Sequence, residues 1–318
     1  MKNNGGIVKL LEKICLVSDL DGDLNMARDK WPKNLFYRAR KNELKKPDYV
    51  AYPAKISEIS EILKIANCRS VPVVPFGSGS GVLGAANSEY GGIAIDMMRM
   101  DKLTAIDEMN LTATFQAGIL GEELERQLNE RGYSLGHFPA SIAISTLGGW
   151  LATRSSGQYA TKYGKIEDMV LGMKVVLASG EILDLRPKPG HSLGPDLIPL
   201  FIGSEGTLGV IVEATLKIMP LPRFRKFAAF GFPDLNEALS AAREIMQSGI
   251  KPAVMRIYDP FDALMNGPKE HNLEAQLPSR GESFAERLKI KLEKFFAGNP
   301  DIANSLLKAA EKIGVVKP

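Results

Sequence analysis

Residues 75–82 read Pro75-Phe76-Gly77-Ser78-Gly79-Ser80-Gly81-Val82, and Gly79, Gly81 and Gly84 fall at the spacing G-x-G-x-x-G. Glycine tolerates positive φ and close backbone approach, so successive N–H groups of such a run can point one way and cradle an anion. The chemistry is phosphate binding, and the spacing is also that of a Rossmann dinucleotide turn. A Rossmann turn needs a crossover helix behind it. Here the apolar residues stop after Ala86, and Asn87-Ser88-Glu89-Tyr90-Gly91-Gly92 has turn chemistry. At most one helical turn fits. The run is therefore either a phosphate nest without a long helix or a Gly-rich turn joining two strands, and Asp96 belongs to a neighbouring strand with no ribose role.

Two further segments share this character. One runs from Pro139-Ala140-Ser141 through Ser145-Thr146-Leu147-Gly148-Gly149 to Thr153-Arg154-Ser155-Ser156-Gly157. The other is Gly203-Ser204-Glu205-Gly206-Thr207-Leu208-Gly209-Val210-Ile211. Both are dense in Gly, Ser and Thr, and both adjoin apolar strands. Three such loops point to one large ligand with phosphates and an apolar ring, because small residues admit the backbone while hydroxyls and N–H groups meet the polar edge.

Other chemistry is sparse. The three histidines, His137, His191 and His271, are isolated, and a structural or exposed role suits each better than catalysis. Cys15 and Cys68 lack C-x-x-C spacing, which excludes a disulfide scaffold and a cysteine zinc site. The run Asp19-Leu20-Asp21-Gly22-Asp23 fails as an EF-hand, with glycine fourth instead of sixth and Lys30 at position twelve. No metal site is expected.

The elements that must position these loops follow from apolar periodicity. Residues 7–17 are spaced as a helix, and Asp19–Asp23 reads as a loop. Tyr49–Tyr52 is a strand ended by Pro53, and Ser57 offers an N-cap to a helix with Ile59, Ile62, Leu63 and Ala66 facing inward. Val71–Phe76 and Ile93–Met97 are strands flanking the first loop, and Leu111–Ala117 alternates as a half-buried strand. Gly121–Arg131 is a helix stopped by Gly132, Met173–Leu185 a hairpin, and Val210–Met219 a strand closed by Pro220 and Pro222. Beyond it, residues 227–259 read as strand, helix, strand, and Phe284–Val316 as amphipathic helix.

In bulk the chain has 318 residues, 45% hydrophobic and 24% charged, with a formal charge of +3. That charge is too small and too scattered for nucleic acid; the densest run, Arg38–Lys46, reads as a solvated surface segment. No stretch approaches the roughly 18 apolar residues of a membrane span. A soluble, cytoplasmic protein is expected.

The three loops in this order resemble the FAD-linked oxidases of the vanillyl-alcohol oxidase superfamily, whose flavin domain is called PCMH-type. The resemblance covers roughly residues 46–260 and rests on YVAYPAKISEISEILKIAN leading to PVVPFGSGSGVLGA, then STLGGWLATRSSGQYATKYGKIEDMV, then LFIGSEGTLGVIVEATLKI. GGWLATRSSG, KYGKIEDMV and PAVMRIYD look most like alkyldihydroxyacetonephosphate synthases, while glycolate and D-lactate dehydrogenases share the first and last loops.

The resemblance implies an α+β fold. An N-terminal helical segment (1–45) precedes an FAD-binding domain (46–222) of two α+β subdomains, about 46–105 and 106–222. The beginning of a ferredoxin-like cap (223–318) follows, shorter than in relatives. Residues 75–82 would wrap the pyrophosphate. Pro139, Ala140, Ser141, Ser145, Thr146, Gly148 and Gly149 would line the dinucleotide and flavin ring, and Thr153 to Gly157 would complete the pocket. Glu205, Gly206, Thr207, Gly209, Val210 and Ile211 would lie near the ring and ribityl chain. The first loop lacks the His that links FAD covalently in some relatives, so noncovalent FAD is expected.

For catalysis the resemblance offers only Arg256, matching a cap-strand Arg that would face an anionic substrate; a surface or inter-domain ion pair suits it equally. The synthases' Arg before Gly194-Pro195-Asp196 is replaced by Pro189-Gly190-His191-Ser192-Leu193, which argues against a phosphorylated substrate. The expected activity is oxidation of an alcohol or 2-hydroxy acid by hydride transfer to FAD. Its alternatives are an ether-lipid synthase using FAD without net redox, and an FAD-binding subunit that needs a missing cap. The expected partners are a small-molecule substrate and an electron acceptor or a complementary subunit.

Overall fold

A computed structural model describes residues 5–39, 45–186 and 194–259. The first part of the chain runs α1 (Gly5–Leu11), β1 (Leu16–Ser18), α2 (Asp21–Met26), α3 (Pro32–Ala39), β2 (Tyr49–Tyr52), α4 (Ile56–Cys68), β3 (Val73–Phe76) and β4 (Ile93–Asp96). Its sheet has the order β1-β2-β4-β3. β2, β4 and β3 are parallel, and β1 adds antiparallel to β2. Parallel strands need a long crossover, and α4 supplies the one from β2 to β3, between which β4 later inserts. No helix stands between β3 and β4, which excludes the Rossmann reading of the glycine motif.

α4 forms because its apolar residues recur on one face. Ile59, Ile62, Leu63 and Ala66 are all buried. Its cap differs from expectation. Lys55 takes the extended N-cap conformation and Ser57 lies inside the first turn, where Glu58 reaches back to accept the Ala54 N–H at 2.7 Å.

Two N-terminal expectations are also corrected. α1 stops at Leu11, and Leu16–Ser18 leaves helical geometry to pair with the open edge of β2. The acidic run is helical from Asp21, with Asp21 and Asp23 in the first turn, where carboxylates favour the helix dipole.

The second part runs β5 (Leu103–Asp107), β6 (Thr112–Gln116), α5 (Gly121–Asn129), β7 (Tyr133–Ser134), α6 (Leu147–Ala152), α7 (Ala160–Tyr163), α8 (Ile166–Met169), β8 (Val170–Val176), β9 (Ile182–Leu185), α9 (Ile198–Phe201), β10 (Val210–Lys217), β11 (Met219–Pro220) and α10 (Leu235–Gln247). β5-β6-β10-β8-β9 form an antiparallel sheet, and β7 pairs β11. β10 is central, with Val212, Ala214 and Leu216 fully buried. One apolar core joins both sheets, from Ile59 and Ile62 through Ile93 and Ile95 to Phe115, Leu124, Val175 and Val212. Ser60 Oγ, donating to the Gly180 carbonyl, ties α4 to the β8–β9 turn.

After Pro222 only the helix of the expected strand–helix–strand forms among the described residues. α10 is capped by Asp234, whose Oδ1 accepts the N–H groups of Asn236 and Glu237 at 2.8 and 3.0 Å. Residues 226–232 and 252–257 have no ladder partner among the described residues, and strands owe their stability to pairing. The helix read at Phe284–Val316, the residues Pro189 to Leu193, His271 and most of the basic run 38–46 lie outside the described residues. No described helix is long and apolar enough to cross a membrane.

Candidate functional site

The three loops meet in a closed ring of contacts. The first reaches the second through Ser78 Oγ, which donates to the Ile144 carbonyl, and through Gly77, where an added Cβ would strike Thr146 Oγ1. The second holds the third through three bonds. Gly203 N–H donates to the Leu151 carbonyl and Glu205 N–H to the Ala152 carbonyl, each at 2.9 Å, and Arg154 Nε donates to the Ile202 carbonyl at 3.2 Å. The third returns to the first at Gly206, where a Cβ would sit 3.0 Å from Pro75 Cγ. Two of the described non-glycine residues in the left-handed region, costly to residues with a Cβ, stand at this junction: Arg154 and Glu205, with φ of 53° and 51°.

Within the first loop, the N–H groups of residues 77–83 donate to no other protein group among the described residues. Buried backbone donors almost always find partners, so a run of free donors on a partly exposed loop is a preformed seat for an anion. Beside it, Leu63, Val71, Val73, Pro75, Gly206 and Val210 line a cavity of about 260 Å³ between α4, β3 and the third loop. Polar Asn67, Ser70 and Thr207 edge the same space, a mixture suited to a heteroaromatic ring.

The second loop is built from inside. Thr146 is 3% exposed and caps α6 by accepting the Gly149 N–H at 3.4 Å. Ser145 accepts from Trp150 Nε1 at 2.7 Å and donates to the Ser141 carbonyl at 2.8 Å. The Thr153 hydroxyl returns to the Gly149 carbonyl. The hydroxyls of Thr146, Ser145 and Thr153 therefore shape the loop. Pro139 is buried and the Ser141 hydroxyl turns inward to Ser145 Oγ, which leaves the exposed Ala140, Gly149 and Ser156 to offer backbone and small side chains outward. Val210 and Ile211 start β10 as core residues, 3% and 8% exposed.

His137 enters this loop fully buried. Its Nε2 bonds Ser155 Oγ at 3.2 Å, its ring meets Trp150 edge-on at 4.7 Å, and its Nδ1 has no partner. Burial pulls the imidazole down to about 4, so it is neutral near pH 7. Gly157 is small because a Cβ would lie 2.6 Å from the Phe138 nitrogen. Glu125 holds the entry to this stretch, accepting from Ser134 Oγ and from the N–H groups of Leu135 and Gly136 at 2.9–3.1 Å, while burial pushes its carboxyl upward.

Arg256 sits beside the same loop. Its Nη2 donates to Gln158 Oε1 at 2.7 Å, and Gln158 N–H donates to the Phe138 carbonyl at 2.8 Å. Its partner is thus a neutral amide instead of the carboxylate of an ion pair. Sequence reasoning gave no role to Gln158, although it stands in the run RSSGQYATKYG, and missed the contact of residues 28–31 with the first loop.

Residues 47–186 match the model of the FAD binding domain, and residues 221–283 match that of the C-terminal domain of FAD linked oxidases. The chain belongs to the FAD-linked oxidase family. The chain is 41% identical over 217 residues to alkyldihydroxyacetonephosphate synthase of Caenorhabditis elegans, covering 67% of this chain and 36% of that protein. It is 37% identical over 214 residues to glycolate oxidase subunit GlcD of Bacillus subtilis, covering 67% and 46%. A solved alkyldihydroxyacetonephosphate synthase superposes with a TM-score of 0.75 at 33% identity, covering 83% of this chain and 49% of that one. The chain therefore spans under half the length of these relatives. Its cofactor is FAD, and the residues present fit it. The free N–H donors of residues 77–83 could hold a pyrophosphate, the cavity lined by Pro75 and Gly206 could take an apolar ring, and the unpartnered His137 Nδ1 and Ser204 Oγ stand in the two neighbouring loops.

Proposed function

We propose that this FAD-linked oxidase binds FAD noncovalently in the ring of three loops and oxidises a small alcohol or 2-hydroxy acid. The observation that carries the binding mode is the free N–H run of residues 77–83, closed at both sides by the second and third loops. In this reading those amides hold the pyrophosphate, and the backbone of 139–149 and 205–209 borders the rest of the dinucleotide. Bound FAD supplies the acceptor for the hydride that leaves the substrate carbon. The protein excludes water and orients the substrate, and Arg256, held by Gln158 at the edge of the second loop, offers positive charge to a substrate carboxylate.

A second reading, an ether-lipid synthase using FAD without net redox, is favoured by the 41% identity to one such synthase and the 0.75 TM-score to another. An electron acceptor or complementary subunit belongs to the proposal as well. It is supported by the likeness to a glycolate oxidase subunit of Bacillus subtilis and by Phe224, Phe227 and Phe230, 77–85% exposed. A cytoplasmic location is supported by the free Cys15 and Cys68.

The test is made on the purified full chain. Flavin uptake is measured first, and then reduction of an artificial acceptor with glycolate or D-lactate is compared with ether formation from acyl-dihydroxyacetone phosphate and a fatty alcohol. Acceptor reduction supports the leading reading, and ether product without it supports the second. A colourless protein that takes up no FAD overturns both.

A further inference from the structure

The three glycines of the G-x-G-x-x-G spacing share a neighbour that the motif does not name. A Cβ at Gly79, whose φ is +68°, would stand 2.6 Å from the Arg28 carbonyl oxygen. The Gly81 carbonyl accepts the Lys30 N–H at 2.8 Å. Gly84, at φ +92°, donates its N–H to Asp29 Oδ2 at 2.7 Å, and a Cβ there would lie 2.7 Å from the Trp31 ring. The segment 28–31 therefore crosses the loop at van der Waals distance and touches it at each glycine.

Asp29 is the hub of this crossing. It is 5% exposed, and its two oxygens are divided between the two segments: Oδ2 takes the loop's Gly84 N–H, and Oδ1 takes the Trp31 N–H of its own segment at 3.1 Å. Its backbone N–H donates to Asn87 Oδ1 at 3.2 Å, which fixes the far end of the same connection. Hydrogen bonds to a carboxylate are about twice as strong as neutral ones, and removing a buried acceptor strands its donors. The free donors of residues 77–83 end where this bond begins, so Asp29 sets the limit of the anion seat.

We propose that residues 28–31 are a strap that holds the first loop in its FAD-receptive shape, with Asp29 as the positioning residue; this rests on the reading of residues 75–82 as the pyrophosphate seat. The charge of Asp29 sharpens the claim. A carboxylate beside a pyrophosphate repels it, so if charge alone mattered, neutralising Asp29 would tighten FAD binding. If Asp29 acts by shaping the loop, neutralising it weakens FAD binding.

The experiment titrates FAD into the full chain and its variants by flavin fluorescence, alongside the melting temperature of the FAD-free protein. Asp29→Ala is expected to lose affinity about tenfold or more, the equivalent of one stranded donor. Asp29→Asn, which keeps the shape but only one acceptor oxygen for the two N–H groups of Gly84 and Trp31, is expected to fall between Ala and wild type in both FAD affinity and FAD-free melting temperature. Should Asp29→Ala fail to fold, the isosteric Asp29→Asn decides alone. Wild-type or tighter binding by Asp29→Asn and by any folded Asp29→Ala overturns the strap. Gly77→Val crowds Thr146 without touching the strap and separates the two claims. If Gly77→Val binds FAD normally, the reading of the loop as cofactor seat fails. If it loses FAD while the Asp29 variants keep it, only the strap fails.

Discussion

Residues 45–186 and residues 223–257 carry sequence signals of equal clarity, yet they fold to different degrees. In the first region, alternating apolar residues such as those of 112–116 become a strand because β5 and β10 flank it on both sides. In the second, Phe230 and Phe232 alternate with Ala229 and Gly231 and stay exposed without ladder partners among the described residues. The helix between the unpaired runs forms regardless, since a helix closes its hydrogen bonds within itself and α10 has its own Asp234 cap. A strand is a property of a sheet, whereas a capped amphipathic helix is a property of its own sequence.

The largest test of this contrast exchanges the same side chain in both regions. Phe115 is fully buried in β6, and Phe230 is 77% exposed. Phe115→Ala should cost about 3–5 kcal/mol, through lost transfer energy and a residual cavity. Phe230→Ala should change stability by less than about 0.5 kcal/mol. Urea unfolding of the full chain measures both, and a Phe230→Ala cost near that of Phe115→Ala would show that the second region is packed in solution.

A smaller effect belongs to the first region alone. His137 has its folded value depressed to about 4 from an ordinary 6.5. A depressed histidine takes up its proton in the unfolded chain first, so its contribution is intact above pH 6.5. That contribution is lost as pH falls from 6.5 toward 4, up to about 3 kcal/mol in all. His137→Phe should flatten that part of the stability–pH curve, as followed by melting temperature from pH 7 to 4. An unchanged slope would place the titration elsewhere. Glu125 runs the opposite way: its raised carboxyl favours the protonated folded form, so its share of stability declines as pH rises above the ordinary carboxylate range.

How much of this was legible in the sequence depended on whether the cause was local. That the loops at 75–82, 139–157 and 203–211 belong together was readable from their shared density of small residues, which lets them approach one another closely at Gly77 and Gly206. The inward face of α4 was readable from spacing. Its cap was not: Ser57 has the right side chain, but the extended conformation settled two residues earlier at Lys55. The strand at Leu16–Ser18 was hidden because its cause is the free edge of β2, far along the chain. Asp29 looks like any surface acid until the fold brings Gly84 to it across 55 positions. One signal was available: three glycines in a loop with no helix to pack against imply that some other chain passes close by.

The smallest effect tests the self-sufficiency of α10. Asp234→Ala removes the acceptor of two N–H groups, those of Asn236 and Glu237, at the start of a helix whose one buried residue is Ala238. With little packing to compensate, the cap should carry a large share of local stability, about 1 kcal/mol. Global unfolding in urea should barely move, because the core between the two sheets does not depend on α10. Amide exchange across 235–247 should instead quicken by about fivefold, the local equivalent of that loss. If exchange in α10 stays at the wild-type rate, the helix is held by tertiary contacts and the contrast between the two regions weakens. If it quickens while β6 and β10 keep their protection, the two regions open independently, and the FAD-binding sheets stand without the segment that follows them.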